Sequence, residues 1–327
     1  MKIKKYQDAG VNFIELINEI NFKVTLCDLG AAIYGIYLNN VPMTLTTTDV
    51  NDFKKESHYH GKTIGRVSGR IKNGQYEVNG KTYQVSLNEG NNTLHGGHDG
   101  LSTKYFDSEI IEDKNKVKVI YTYHSPDGES GFNSNMDFKV TYIIEEFENV
   151  LEVILEAVSD EDTVCMLTNH AYFSLGDYDN SELTLYINSL EHIVVNETDL
   201  IPEGTKKVDE VTDFSKGKLL VKDIEHPSIK LTAMKGYDME YIYRENTLNM
   251  PNVVLENKRY MLELYSDTDG AVIYSDNFEN PAKFLTNETD TRRRGIAIEP
   301  SDHHLDNHIL KKGEVYKRRF IYSFHYN

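Results

Sequence analysis

The sequence predicts an all-β protein built as one large antiparallel β-sandwich, and three observations carry that prediction. Apolar and polar residues alternate at period two along much of the 327-residue chain, turn signals separate those runs, and long helical patterns are hard to find. The first alternating run is residues 22–26. The sharpest signal follows at residues 75–85, where Asn79-Gly80 supplies the two left-handed positions of a type I′ turn between alternating strands. In residues 116–123, Val117, Val119, Tyr121 and Tyr123 fall on one face of a strand. Residues 138–145 and 150–158 read as a hairpin turning near Glu148-Asn149. The stretch 164–175 could mimic a helix, but Val164, Thr168, Tyr172 and Phe173 favour strand. Further runs at 183–188, 260–265 and 317–324 complete the pattern. Seven prolines, no Gly/Ser-rich linker and no fixed-period repeat point to a single domain over residues 1–327.

Composition narrows the function. Hydrophobic content of 39% and charged content of 27% are ordinary for a globular chain. Acidic residues outnumber basic ones 52 to 35, a formal net charge of −17, which speaks against nucleic acid or an anionic membrane as partner. The basic runs Arg292-Arg293-Arg294 and Lys317-Arg318-Arg319 are short and read as solvated surface. Cys27 and Cys165 lie far apart, outside any metal-type spacing, and read as buried thiols of a reducing compartment. The first residues lack the apolar stretch of a signal peptide, and no run approaches the roughly 18 apolar residues of a membrane span, so a cytoplasmic location is expected.

Five segments carry residues able to do chemistry. In Gly65-Arg66-Val67-Ser68-Gly69-Arg70-Ile71, either arginine could present a planar donor fork to hydroxyls. In Leu94-His95-Gly96-Gly97-His98, paired glycines allow backbone to approach a ligand closely. Thr168-Asn169-His170-Ala171-Tyr172-Phe173 sets one histidine in an aromatic, strand-like run. Gly236-Tyr237-Asp238 places a carboxylate just before the strand-like Tyr241-Ile242-Tyr243. In Ile296-Ala297-Ile298-Glu299-Pro300, a glutamate ends an apolar strand, and the proline should break that strand and leave Glu299 at a sheet rim. A metal reading of His95 and His98, or of Asp302, His303, His304 and His308, finds no H-E-x-x-H helix or cysteine pair. Adjacent residues on a strand also point to opposite faces, so His303 and His304 should not share an ion; no bound metal is expected.

Taken together, the order and spacing of these motifs resemble the aldose 1-epimerase (galactose mutarotase) family. Tyr59-His60-Gly61, Asp127-Gly128-Glu129-Ser130-Gly131, Leu200-Ile201-Pro202-Glu203-Gly204 and Leu310-Lys311-Lys312-Gly313-Glu314 extend the likeness from about Asn12 onward. The resemblance implies a galactose-mutarotase-like supersandwich with an open sugar cleft, a small-molecule hexose substrate and no cofactor. It implies His170 as catalytic acid, Glu299 as catalytic base, His95 as a second active-site histidine, and Arg70 and Asp238 as binders of sugar hydroxyls. Phe278, in Ser275-Asp276-Asn277-Phe278, would offer an apolar wall to the sugar ring. The chain departs from the family pattern at Met239, where histidine is common, at Phe132-Asn133-Ser134, and at Ser301-Asp302-His303-His304.

The chemistry suits these residue types. Opening a cyclic hemiacetal takes a proton from the C1 hydroxyl and delivers one to the ring oxygen. A carboxylate and an imidazolium flanking the acetal can do both, in the ionised and charged states respectively. Rival readings are a hexose-6-phosphate 1-epimerase, which needs extra cations at the cleft, a catalytically silent sugar-binding module, and a glycosidase using Asp238 with Glu299.

Overall fold

A computed structural model describes residues 1–176, 181–285, 292–304 and 308–327. Among these residues the strands assemble chiefly into three antiparallel sheets. The first, of five strands, begins at Lys2–Asp8 and ends at Val41–Pro42. The largest has nine strands, with Val150–Ser159, Val315–Tyr326 and Tyr260–Ser266 adjacent at its middle. The third has six, in the order Tyr172–Phe173, Ile296–Ser301, Gly270–Tyr274, Asp238–Tyr243, Ser189–Val195 and Pro202–Lys207.

Period two decides what each strand buries. Lys116–Ser125 buries Val117, Val119 and Tyr121 and half-buries Tyr123, while its alternate residues are half-buried or exposed. The hairpin Met136–Glu145 to Val150–Ser159 forms as the pattern predicts. So does Gln75–Val78 to Lys81–Gln84, with φ of 52° at Asn79 and 75° at Gly80. The inward faces share one continuous core that includes Phe22, Tyr121, Tyr142, Phe173, Ile298 and Tyr322. Such contiguous burial is the main source of stability in a sandwich.

Three expectations are corrected. Residues 164–175 do not make one strand: Thr163–Val164, Thr168–Asn169 and Tyr172–Phe173 pair with three different partners as the segment threads between sheets. With neighbours on every side, Val164 to Leu175 are all buried, so no alternation survives in the sequence. The strand carrying Glu299 is not broken by Pro300 but runs to Ser301, paired as Val272 to Glu299, Ala271 to Pro300 and Gly270 to Ser301. On its other side Tyr172–Phe173 reaches only Ile296 and Ala297, so Pro300 occupies an edge-like position that tolerates a missing N–H.

The basic runs are also more engaged than a solvated surface. Arg294 is buried with its guanidinium 4.2 Å from the Phe284 ring centroid, Arg293 pairs with Glu225 at 2.6 Å, and Arg318 with Asp302 at 2.6 Å. Arginine tolerates such sites because its flat, weakly hydrated fork stacks and pairs at once. Cys27 and Cys165 are buried thiols, and burial pushes the Cys27 thiol up to about 12. Among the described residues no helix is long and apolar enough to cross a membrane.

Candidate active site

The six-stranded sheet turns one face to the core and the other to a cleft of about 260 Å³. Tyr241, Ile273 and Ile298 belong to the core, whereas Asp238, Glu240, Val272, Tyr274 and Glu299 line the cleft. Register fixes their layout. Glu240, Val272 and Glu299 form one cross-strand row, and Asp238, Tyr274 and Ala297 form the next. Loops bearing Tyr59, His95 and Phe278, and the short strand Arg70–Ile71, supply the walls. All six residues singled out from the sequence, Arg70, His95, His170, Asp238, Phe278 and Glu299, therefore border one cavity.

His170 Nε2 lies 3.2 Å from Glu299 Oε1, both side chains being about 95% buried. The histidine is held by its backbone: its N–H donates to Lys62 O at 3.0 Å and its carbonyl accepts from Gly61 N–H at 2.9 Å. Its ring stacks on Tyr172 at 5.1 Å and meets His95 edge-on at 5.4 Å. Burial drives both groups toward neutrality. The His170 imidazolium is suppressed to about 3, by desolvation first and by neighbouring His60 second. Glu299 is pushed well above the carboxylate range, by desolvation and then by the charge of Asp238. Burial thus works against the ionised carboxylate and charged imidazole that the acid–base chemistry calls for. Burial desolvates both charged forms, so it favours the neutral carboxyl beside the neutral imidazole, with Arg70 opposing the shift on Glu299.

His95 accepts a 3.1 Å hydrogen bond at Nδ1 from Gly69 N–H, which places its own proton on Nε2. Burial, then the charges of His170 and Arg70, hold its pKa well below the usual value. The neighbouring glycines serve backbone packing: a Cβ on Gly96 would lie 2.0 Å from Gly65 O, and its φ is +85°. Arg70 presents the expected fork, but two of its nitrogens are taken by Glu89, Nε to Oε2 at 2.6 Å and Nη2 to Oε1 at 2.8 Å. Arg66 is not in the cleft. It is buried and donates to the carbonyls of Asn133 and Ser125. Burial raises the Asp238 pKa, opposed by Arg70. Phe278 is half-buried, with Lys235 Nζ 5.6 Å from its ring centroid.

Glu89, Tyr59, Tyr172, Tyr274, Glu240 and His304 were not picked out as cleft residues from the sequence. Glu240 was findable: it stands two residues after Asp238 and so shares its strand face. Glu89 was not, since only folding brings its loop to Arg70. His303 and His304 do not point to opposite faces of a strand, because the strand ends at Ser301; past it both Nδ1 atoms turn to Glu240, at 3.8 and 2.5 Å. Asp302 instead holds Arg318. Among the described residues the group able to gather round a cation is His95, His170 and Glu299, whose ligand atoms lie within 4.8 Å of one another.

The family model described as aldose 1-epimerase matches residues 12–323. The chain belongs to this family. Among curated relatives, the aldose 1-epimerase of Haemophilus influenzae is 29% identical over 305 residues, 89% of this chain and 86% of its own. The galactose mutarotase of Rattus norvegicus is 27% identical, covering 79% of this chain and 74% of its own. The crystal structure of a galactose 1-epimerase from Lactobacillus acidophilus superposes with a TM-score of 0.90 at 27% identity, covering 100% of this chain and 98% of that one. The β-sandwich is thus the galactose-mutarotase-like fold. Asn133, at one of the departures from the family pattern, ties the fold together. Its carbonyl accepts from Arg66 Nη1 at 2.8 Å and its side chain from Tyr76 at 2.7 Å.

Proposed function

We propose that this member of the aldose 1-epimerase family interconverts the α and β anomers of a free hexose, with His170 and Glu299 as its acid–base pair. Anomer interconversion makes the enzyme an isomerase acting on carbohydrates. The 3.2 Å contact between His170 Nε2 and Glu299 Oε1 carries the residue assignment. The C1 hydroxyl oxygen and the ring oxygen are both bonded to C1 and lie side by side, so the groups serving them must be neighbours. The proton resting on Glu299 passes across the contact to His170, leaving a carboxylate base beside an imidazolium acid. Glu299 takes the C1 hydroxyl proton while His170 protonates the ring oxygen, and the C1–O5 bond opens to an aldehyde. Rotation about C1–C2 presents the other carbonyl face. His170 then removes the O5 proton as O5 attacks C1, and Glu299 returns a proton to O1. The proton on His170 then returns across the contact to Glu299, and the pair is as it began. Arg70 and Asp238 hold the remaining hydroxyls while C1 turns, with Phe278 against the apolar face of the ring.

A free sugar is favoured over a sugar phosphate. Among the described residues lining the cleft, Glu89, Asp238, Glu240 and Glu299 surround one arginine, Arg70, and that arginine already grips Glu89. Arg293 and Arg294 are committed to Glu225 and to Phe284 with Asn280. A phosphate ester would bring two negative charges to a cleft whose arginine is already paired with Glu89. Polarimetry of fresh α-D-galactose and α-D-glucose tests the activity, with glucose 6-phosphate as the comparison at two ionic strengths. Absence of acceleration with either free sugar, or a higher kcat/KM for the phosphate ester, sinks this reading.

A further inference from the structure

Glu240 and His304 are both more than nine-tenths buried at the side of the cleft, yet the acid–base chemistry leaves them without a role. Their contact is close, His304 Nδ1 to Glu240 Oε2 at 2.5 Å, and the backbone N–H of His304 also donates to Glu240 Oε1 at 3.2 Å. Each end of the pair is tied to a residue assigned to the sugar. Glu240 stands two positions beyond Asp238 on the same strand and face, in the cross-strand row that ends at Glu299. His304 lays its ring over Gly69: a Cβ there would sit 2.1 Å from Cδ2 and 2.2 Å from Nε2, so only glycine accommodates the imidazole. Gly69 in turn precedes Arg70 and bonds His95 twice, its N–H to His95 Nδ1 at 3.1 Å and its carbonyl to the His95 N–H at 2.9 Å.

We propose that Glu240 and His304 form a positioning pair that clamps the Gly69–Arg70 backbone, and with it His95, against the strand carrying Asp238, setting the sugar-binding geometry of the cleft. The inference rests on the sugar-binding reading of Arg70 and Asp238. Burial opposes both charges and each partner supports the other: His304 holds Glu240 down to about 2, and Glu240 raises His304, helped by the Ser68 carbonyl and opposed by Arg70. The charges also reach the site itself, since His304 favours the ionised form of Asp238 while Glu240 disfavours that of Glu299. Buried ion pairs are poor stabilisers compared with apolar packing, so a pair retained here serves geometry better than it serves the fold.

Two single variants separate the parts of the clamp. Glu240→Gln keeps the shape and removes the charge. His304→Asn keeps a donor near Nδ1 and empties the space over Gly69. The expected result is a KM for galactose raised roughly 10-fold in each, with kcat within about threefold of wild type. The double variant should be no worse than the poorer single, because two halves of one clamp do not add. In Glu240→Gln the pH at which KM rises should also move down, to below the ordinary histidine value of about 6.5, because burial and Arg70 still oppose the His304 charge. The groups facing His304 in that titration are Glu240, His303, Arg70, Asp238, His95 and the Ser68 carbonyl. Galactose affinity measured by calorimetry should weaken in parallel, and this readout needs no turnover. If wild type binds galactose without mutarotating it and the variants weaken binding, the clamp stands and the acid–base reading falls. If KM and affinity stay within about twofold of wild type in the folded variants, or kcat falls with melting temperature while KM holds, the clamp is wrong. Gly69→Ala, which displaces the His304 ring without touching either charge, should reproduce the KM rise; an unchanged KM there also overturns the proposal.

Discussion

The nine-stranded and six-stranded sheets both bear rows of carboxylates, and they treat them in opposite ways. On the nine-stranded sheet Glu156 meets Lys139 at 2.7 Å and Lys317 at 3.6 Å, and Glu152 meets Arg319 at 2.6 Å, with the cations 39 to 55% exposed. On the cleft face of the six-stranded sheet Glu299 faces the imidazole of His170, and Asp238 feels Arg70 only as an opposing charge. The strand period is the same in both. What differs is the supply of water and cations: Glu240 on the cleft face keeps its charge because His304 faces it, whereas burial without such a partner favours the protonated form of Glu299. Burial of that kind suits Glu299 to exchange a proton with the imidazole beside it.

The sharpest way to break this contrast is to remove proton transfer from one row only. His170→Asn and Glu299→Gln nearly conserve volume, and each is expected to lower kcat by roughly 10²- to 10⁴-fold in polarimetry. Near wild-type rates in either soluble variant would end the assignment. Next in size is Arg70, the one arginine among the described residues lining the cleft. Arg70→Gln gives up charged donors to the sugar and leaves Glu89 without its partner, so kcat/KM should fall roughly 10- to 100-fold, mainly through KM.

The pH profile sharpens the comparison further. With His170 held near about 3 and Glu299 raised well above its usual value, the pair carries one proton through the whole interval between them. The profile of kcat/KM should therefore show an acid limb far below the ordinary histidine value of about 6.5, where His170 takes a second proton, and an alkaline limb where Glu299 loses the first. An acid limb at an unperturbed histidine value would mean that burial does not govern the pair.

The same burial predicts a stability effect of opposite sign to the loss of activity. Because the folded pKa of Glu299 lies above the unfolded one, its contribution is fully favourable below about pH 4 and is lost as pH rises toward the folded value. Glu299→Gln should therefore melt a few degrees higher than wild type, with a larger gap at pH 8 than at pH 5. A gap that shrinks with rising pH contradicts the shift. Smallest of all, Glu156→Gln on the nine-stranded sheet should leave kcat and KM unchanged and cost at most about 1 kcal/mol in denaturant melts, since its lysine partners are exposed.

By itself the sequence determined the sandwich and most of its strands, because period-two alternation in runs such as Lys116–Ser125 and the Asn79-Gly80 turn are local properties of the backbone. It also pointed to His170, Glu299, Arg70, His95, Asp238 and Phe278 as one set through motif order and family resemblance, and these residues do border one cleft. Tertiary structure alone decided the rest. Where residues 164–175 are buried on all sides, no periodicity marks their three separate pairings. Whether Pro300 ends its strand depended on how far a neighbouring strand reaches, which no local signal records. The partners Glu89 of Arg70 and His304 of Glu240 come from segments 19 and 64 residues away, and only packing selects them. The protonation of His170 and Glu299 was beyond the sequence for the same reason: a pKa is set by the water and charges that the assembled fold admits, and side-chain identity supplies only the starting value.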